Sequence, residues 1–172
     1  MSGKAQSELP NVLLIERFYG AFADGNGAGM AACYAPDVHF SDPVFPDLHG
    51  ARAGAMWRML TAGPGDLRIE LLEHEADATQ GSAHWRARYT FTETGRPVVN
   101  DIHARFRFAD ELIVEHRDEF SFHAWARQAL GPVGLLLGWT PLVRAAVRRK
   151  AGARLEEFAS QHGDAQRAGG GN

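Results

Sequence analysis

From Ala83 to Phe120 the chain alternates apolar and polar residues, and that alternation limits the fold more than any other feature. "AHWRARYTF" sets Trp85, Ala87, Tyr89 and Phe91 against His84, Arg86 and Arg88. After a Thr94-Gly95-Arg96 turn, "VVNDIHARFRF" sets Asn100, Ile102, Ala104, Phe106 and Phe108 against His103, Arg105 and Arg107. A tight turn at Asp110 leads into "LIVEHRDEF", where period two groups Leu112, Val114, His116, Asp118 and Phe120. One apolar face with this period predicts antiparallel strands covered on that side by other elements. "DLRIELLEHEADA" precedes them as a further strand, and its doubled Leu71-Leu72 predicts a bulge.

The cover comes from upstream. Val12, Ile15, Phe18, Tyr19 and Phe22 recur at helical spacing over residues 9–23, which stop at the turn cluster Asp24-Gly25-Asn26-Gly27. A short helix over 27–34, a short strand at "VHF" and a third helix over "ARAGAMWRMLTAG" follow. Helices mostly ahead of an antiparallel sheet predict the α+β class. The 172 residues, 45% of them hydrophobic, suit one domain with a real core. A net charge of −3 offers no general attraction to nucleic acid. The single Cys33 excludes an internal disulfide, and with no signal-like apolar run at the N-terminus it suits a reducing cytoplasm. His39, His49, His74, His103 and His123 show no metal-ligand spacing, and no glycine-rich phosphate loop follows a strand, so no metal or cofactor is expected.

Three polar residues interrupt the inward face of the sheet: Asn100, His116 and Asp118. A polar group turned toward the core needs a partner. Positions two apart on a strand lie about 6.6 Å from each other. That leaves a direct bond between His116 and Asp118 unassured and a bridging water or ligand open. Asn100 reads as a residue pairing with backbone at a bulge, or as one that activates water. The other conspicuous acid is Asp42 in "FSDPVFPDLHG", either a turn former ahead of Pro43 or a carboxylate delivered to a pocket. Trp57, Trp85, Tyr89 and Phe106 read as core or cavity wall, and Tyr19 as core with its hydroxyl satisfied.

The order helix, helix, Asp-Pro loop, helix, curved antiparallel sheet resembles the NTF2-like cone over residues 9–122, and in particular its SnoaL-like and ketosteroid isomerase-like branch. "YAPDVHFSDPV" is similar to the isomerase segment whose aspartate is the general base, which implies that role for Asp42. "FRF" is a second match and fixes the register of the last two strands. In that register the isomerases' oxyanion-hole tyrosine and aspartic acid fall on Phe18 and Ala104, so steroid isomerisation is not expected. The SnoaL-like polyketide cyclases use a histidine and an aspartate in their cavity, and His116 with Asp118 is similar in kind. The related epoxide hydrolases use Asp, Arg, Asn and Tyr to hold a water. Asp42, Asp118, Asn100 and Tyr89 match in part, but no strand arginine faces inward. The resemblance implies a small lipophilic ligand and a homodimer. It leaves three classes open: an acid–base enzyme with Asp42, His116 and Asp118 catalytic and Tyr19, Trp57, Trp85, Tyr89, Asn100 and Phe106 around the substrate; a binding protein with the same cavity; and a dimeric scaffold.

Residues 123–160 extend beyond the cone as helices, and 161–172 read as a tail. Thr140 and Pro141 fit the N-cap and first position of the last helix. Between 141 and 160 there are five basic and two acidic residues. This helix is a lid, a dimer arm or a membrane-surface contact, and "GLLLGWTPL" is expected to pack back on the cone with the basic face turned to solvent.

Overall fold

A computed structural model of the chain describes residues 2–63 and 65–168. The first helix, α1 (Ser2–Ala23), buries Leu14, Ile15, Phe18, Tyr19 and Phe22 along one stripe. Helix α2 (Gly27–Ala31) is capped by the Asn26 side chain, which accepts from Gly29 N. Strand β1 (Tyr34–Ser41) leads through the Asp42 loop to β2 (Leu48–His49) and α3 (Ala51–Thr61). Then come β3 (Arg68–Ala76), β4 (Gln80–Phe91), β5 (Arg96–Ala109) and β6 (Leu112–Glu119). The extension consists of α4 (Phe122–Leu130), α5 (Pro132–Leu137) and α6 (Pro141–Ala168).

The six strands form one sheet in the order β2-β1-β6-β5-β4-β3. β3, β4, β5 and β6 pair antiparallel, whereas β1 lies parallel to β6. That parallel pairing joins residues about eighty apart in the chain and places Phe40 opposite His116. The bulge expected at Leu71-Leu72 is present as a register shift between Leu71 and Glu73. The inward residues of β4 and β5 meet α1 and α3 in a core containing Phe18, Phe22, Trp57, Trp85, Ile102 and Phe106. The architecture is the expected α+β cone.

One strand departs from its simple alternation. Arg107 faces Glu115 while Phe108 faces Ile113, so β6 carries an extra residue at Val114. The bulge turns Ile113 inward, fully buried, in place of Leu112 and Val114. Beyond it the parity recovers, and His116 and Asp118 face the core as expected.

The extension differs more. Phe122, Trp125, Ala126 and Ala129 of α4 form a second core with Val98, closing the open end of the cone. Thr140 caps α6 through its hydroxyl, which accepts from Val143 N at 3.4 Å. α6 runs over the concave side: Leu155 is buried in the main core, Arg148 donates to Pro43 O at 2.9 Å, and Arg52 pairs with Glu156. The helix continues through the segment expected to be a tail as far as Ala168, and residues 169–172 lie outside the described residues. "GLLLGWTPL" does not pack back on the cone. Leu135, Leu136, Leu137, Trp139 and Leu142 are all exposed, because α5 meets α4 through its glycines. A Cβ at Gly134 would lie 1.8 Å from Ala126 O, so backbone rather than side chain fills that contact. The basic face of α6 is not left wholly to solvent either, since Arg148 is engaged at Pro43 and Lys150 pairs with Glu93 at 3.0 Å.

Candidate active site

Between the sheet, α3 and α6 lies a cavity of about 510 Å³. Its wall is largely apolar and aromatic, with Phe22, Trp57, Trp85, Tyr89, Phe120 and Trp125 prominent. Of the five acidic residues that line it, Asp24, Asp66 and Glu93 are exposed, whereas Asp42 from the β1–β2 loop and Asp118 from the end of β6 are withdrawn from solvent. Such a pocket, apolar with a few convergent polar groups, is the usual form of a small-molecule site.

Asp42 serves both readings of its sequence. Its Oδ1 accepts from Val44 N at 2.7 Å and from Phe45 N, the local turn that an aspartate before proline favours. Its Oδ2 takes no hydrogen bond among the described residues, and the residue lines the cavity. Burial pushes the Asp42 carboxyl up to about 7, reinforced by Asp118 and opposed by the Phe45 and Val44 N–H groups and by Arg148.

Asp118 is held differently. His116 Nε2 lies 2.9 Å from Asp118 Oδ1, a direct bond in place of the bridge left open by the strand spacing. Strand neighbours two apart diverge at the backbone, but here the side chains lean together beyond the bulge. On its other side His116 Nδ1 is 2.7 Å from the Tyr34 hydroxyl, and Trp57 Nε1 donates to the same hydroxyl at 2.7 Å. Donor counting orients the first link: the indole can only donate, so the Tyr34 hydroxyl oxygen accepts from Trp57, while the roles in the two His116 contacts follow the imidazole tautomer. His116 is a link in this chain, fully buried and outside the cavity wall, with Asp118 as the terminus that reaches the ligand space. Burial holds the Tyr34 hydroxyl well above its ordinary range, against the Trp57 N–H bond that favours ionisation.

The residues expected around a substrate divide. Trp57, Trp85, Tyr89 and Asn100 line the cavity, whereas Tyr19 and Phe106 belong to the core behind it. Asn100 sits opposite Ala87 without a bulge, and its side chain makes no hydrogen bond among the described residues. Tyr89 is anchored by Trp125 Nε1, which donates to its hydroxyl at 2.8 Å. The hydroxyl of Tyr19 is not satisfied: it and Trp85 Nε1 are buried without a partner among the described residues. Phe18 and Ala104 are buried core, so neither supplies an oxyanion donor. Sequence reasoning missed Tyr34 as the middle of the hydrogen-bonded chain, and it missed Lys150 and Arg154, which α6 brings to the cavity. Tyr34 opens the "YAPDV" segment, but its role depends on the parallel β1–β6 pairing, which no local pattern announces.

Among the described residues one group could hold a metal ion, His39, Asp47 and His49, which spacing along the chain conceals. The hairpin register sets the two histidines opposite each other, rings stacked 4.5 Å apart, each Nε2 2.9 Å from Asp47 Oδ1. Asp47 and His49 are exposed and His39 is half-buried, and none of the three lines the cavity.

Residues 15–116 match the family model of the SnoaL-like domain. A search of curated protein sequences finds no match. Among solved structures the chain is similar to an NTF2-like protein of unknown function from Burkholderia pseudomallei, with 19% identity over 70% of this chain and 97% of that one, at a TM-score of 0.61. It is similar to a candidate polyketide cyclase of Xanthomonas campestris, with 21% identity over 72% and 98% and a TM-score of 0.62. A third is an epoxide hydrolase of the LEH-like type from Mycobacterium tuberculosis, with 18% identity over 79% and 96% and a TM-score of 0.58. At these identities the structural likeness speaks for the cone alone. The matched stretch carries the Asp42 loop and ends at His116, and the chain belongs to the SnoaL-like domain family.

Proposed function

We propose that this protein is an acid–base enzyme acting on a small lipophilic molecule, with Asp42 as the group that exchanges the proton. One observation carries the reading: the two cavity carboxylates withdrawn from solvent, Asp42 and Asp118, are held by different hydrogen-bond sets within a largely apolar wall. Asp118 is fixed in place by its buried hydrogen bond with His116. Asp42 is kept near neutrality of its equilibrium by burial and by Asp118, and a proton-transfer group works best when its pKa lies near the operating pH. Its free Oδ2 takes a proton from an acidified C–H or O–H of the bound molecule and returns it at another atom. The apolar wall excludes water and raises the weight of the Asp118 charge on any cationic or protonated intermediate. With no donor pair at Phe18 and Ala104, the favoured substrates are those whose anion is delocalised within the molecule itself, such as a polyketide, terpenoid or lipid fragment bearing conjugated carbonyls.

Solvent deuterium tests this without a known product. Wild type in D2O, offered a panel of lipophilic enolisable ketones and poly-β-ketones, is expected to speed exchange at the activated carbon, and Asp42→Asn to lose ~10²–10⁴-fold of that rate. Saturable ligand binding with no exchange on any panel member would leave a binding protein with the same cavity. Loss of exchange only when a homodimer is dissociated would show that the site is completed by a second copy.

A further inference from the structure

The stretch from Phe120 to Leu155 contains six of the chain's 18 Lys and Arg and none of its 21 Asp and Glu. Among the described residues, the same stretch holds the most exposed large apolar side chains: Val133, Leu135, Leu136, Leu137, Trp139 at 71% exposure and Leu142 at 82%. Arg148, Lys150 and Arg154 turn to Pro43, Glu93 and the cavity, which leaves the exposed Arg127, Arg144 and Arg149 in the same stretch as a bare apolar knob, in an otherwise acidic protein. We propose that this region docks on the surface of an anionic lipid bilayer, with α5 and the first turn of α6 inserted at the headgroup–acyl boundary.

The geometry supports insertion rather than burial within the chain. α5 is pinned by its backbone, because a Cβ at Gly134 or Gly138 would meet Ala126 at 1.8 and 2.9 Å, so its leucines have only an outward direction. Trp139 Nε1 donates to Leu136 O at 2.9 Å, which satisfies the polar edge of the indole internally and leaves its ring free for an apolar phase. Leu142, Ala145, Ala146 and Arg149 are exposed at helical spacing along α6, so the apolar stripe ends in a cation. Arg127 and Arg144 are exposed beside it, the latter with its guanidinium 5.1 Å from the Phe122 ring centroid. Charge decides between the occupants. A second copy docked patch to patch would set Arg127, Arg144 and Arg149 of one copy against those of the other, with no acid in the stretch itself to offset them, whereas anionic headgroups neutralise them. No helix among the described residues is long and apolar enough to cross a membrane, so the contact is one of surface insertion. α6 also places Val147 and Ala151 in the cavity wall, so docking would bring a lipophilic ligand in the bilayer close to the site. That consequence rests on the cavity reading; the docking itself does not.

The test mixes the protein with vesicles of phosphatidylcholine alone or with a third phosphatidylglycerol, and follows co-sedimentation and tryptophan emission. Trp57, Trp85 and Trp125 are buried, so a blue shift reports Trp139. Wild type is expected to sediment with the anionic vesicles only, to shift blue, and to be released by added salt. Leu136→Asp with Leu142→Asp, both at exposed positions, should keep the melting temperature and lose binding by tenfold or more. Arg144→Glu with Arg149→Glu should weaken it at least ~10-fold by removing headgroup attraction. Absence of wild-type binding to anionic vesicles overturns the proposal, as does binding that survives both double variants. A wild-type dimer that Leu136→Asp converts to monomer, without vesicle binding, would assign the knob to a second copy instead.

Discussion

Asp42 and Asp118 face one cavity but are anchored by opposite means. The Asp42 loop is self-contained: its carboxylate is held by N–H groups two and three residues ahead. The end of β6 is held through a line of buried side chains, from Trp57 through Tyr34 and His116, contributed by α3, β1 and β6. A local anchor forms with its own turn, whereas the long-range chain exists only when the sheet and helices are assembled. The group proposed to change its proton thus sits on the anchor that costs least to perturb. Asp118 sits where the whole fold fixes its hydrogen-bond partner.

The largest expected effect breaks the long-range anchor. His116→Leu leaves the Asp118 carboxylate buried without its partner and the Tyr34 hydroxyl with Trp57 alone, and loss of one member of such a buried pair costs ~3–5 kcal/mol. Urea unfolding should show that loss, and adding Asp118→Leu should recover much of it by removing the stranded charge. Asp42→Ala measured near pH 4, where the folded carboxyl is protonated, by contrast removes only a local turn, worth about 1 kcal/mol. Equal losses at the two positions would erase the distinction between the anchors.

Asp42→Asn sharpens it further through pH. The folded carboxyl is raised from 3.8 to about 7, so between these values the native state binds more protons than the unfolded one. Wild-type stability should therefore fall as pH rises from about 4 to about 7, by on the order of 2–4 kcal/mol. Asparagine still accepts the Val44 and Phe45 bonds but never ionises. The variant should match wild type near pH 4 and melt higher than it above pH 7, while losing proton exchange. A melting curve for Asp42→Asn that falls with pH in parallel with wild type would show that the titrating group lies elsewhere.

Tyr34→Phe is a smaller cut in the same long-range chain. Trp57 Nε1 loses its acceptor and His116 Nδ1 its partner, both buried, for an expected ~1–3 kcal/mol. The melting temperature should fall accordingly, with Asp42's pH dependence retained. An unchanged melting temperature would mean that the chain is not cooperative with folding.

What the sequence made legible follows the same division. Features set by neighbours in the chain could be read: the alternation of β4 and β5, the helical stripe of α1, the Leu71-Leu72 bulge, Thr140 as a cap. Asp42's position came from a motif whose chemistry is local. The His116–Asp118 bond, Tyr34's place beside it and the cations α6 brings to the cavity depend on contacts between distant segments. Ile113 was misplaced because "LIV" is apolar at every position, so period two cannot show where an extra residue enters. "GLLLGW" was misplaced for a different reason: apolar composition marks surface that needs covering, and says nothing of whether this chain supplies the cover.

The smallest effect concerns the turn that sets β6 on its course. Asp110 and Glu111 both adopt positive φ, 51° and 61°, in the two-residue loop between paired Ala109 and Leu112. That is the form of a type I′ hairpin, in which Asn-Gly is favoured and a glutamate at the second position is strained. Asp110→Asn with Glu111→Gly should raise stability by roughly 0.5–1 kcal/mol, seen as a small rise in melting temperature. Because the Val114 bulge lies between the turn and His116, the site should not notice: ligand exchange and its pH profile should remain those of wild type. A changed pH profile in this double variant would mean that the turn sets the register of His116 and Asp118 directly. The long-range anchor would then have a local component after all.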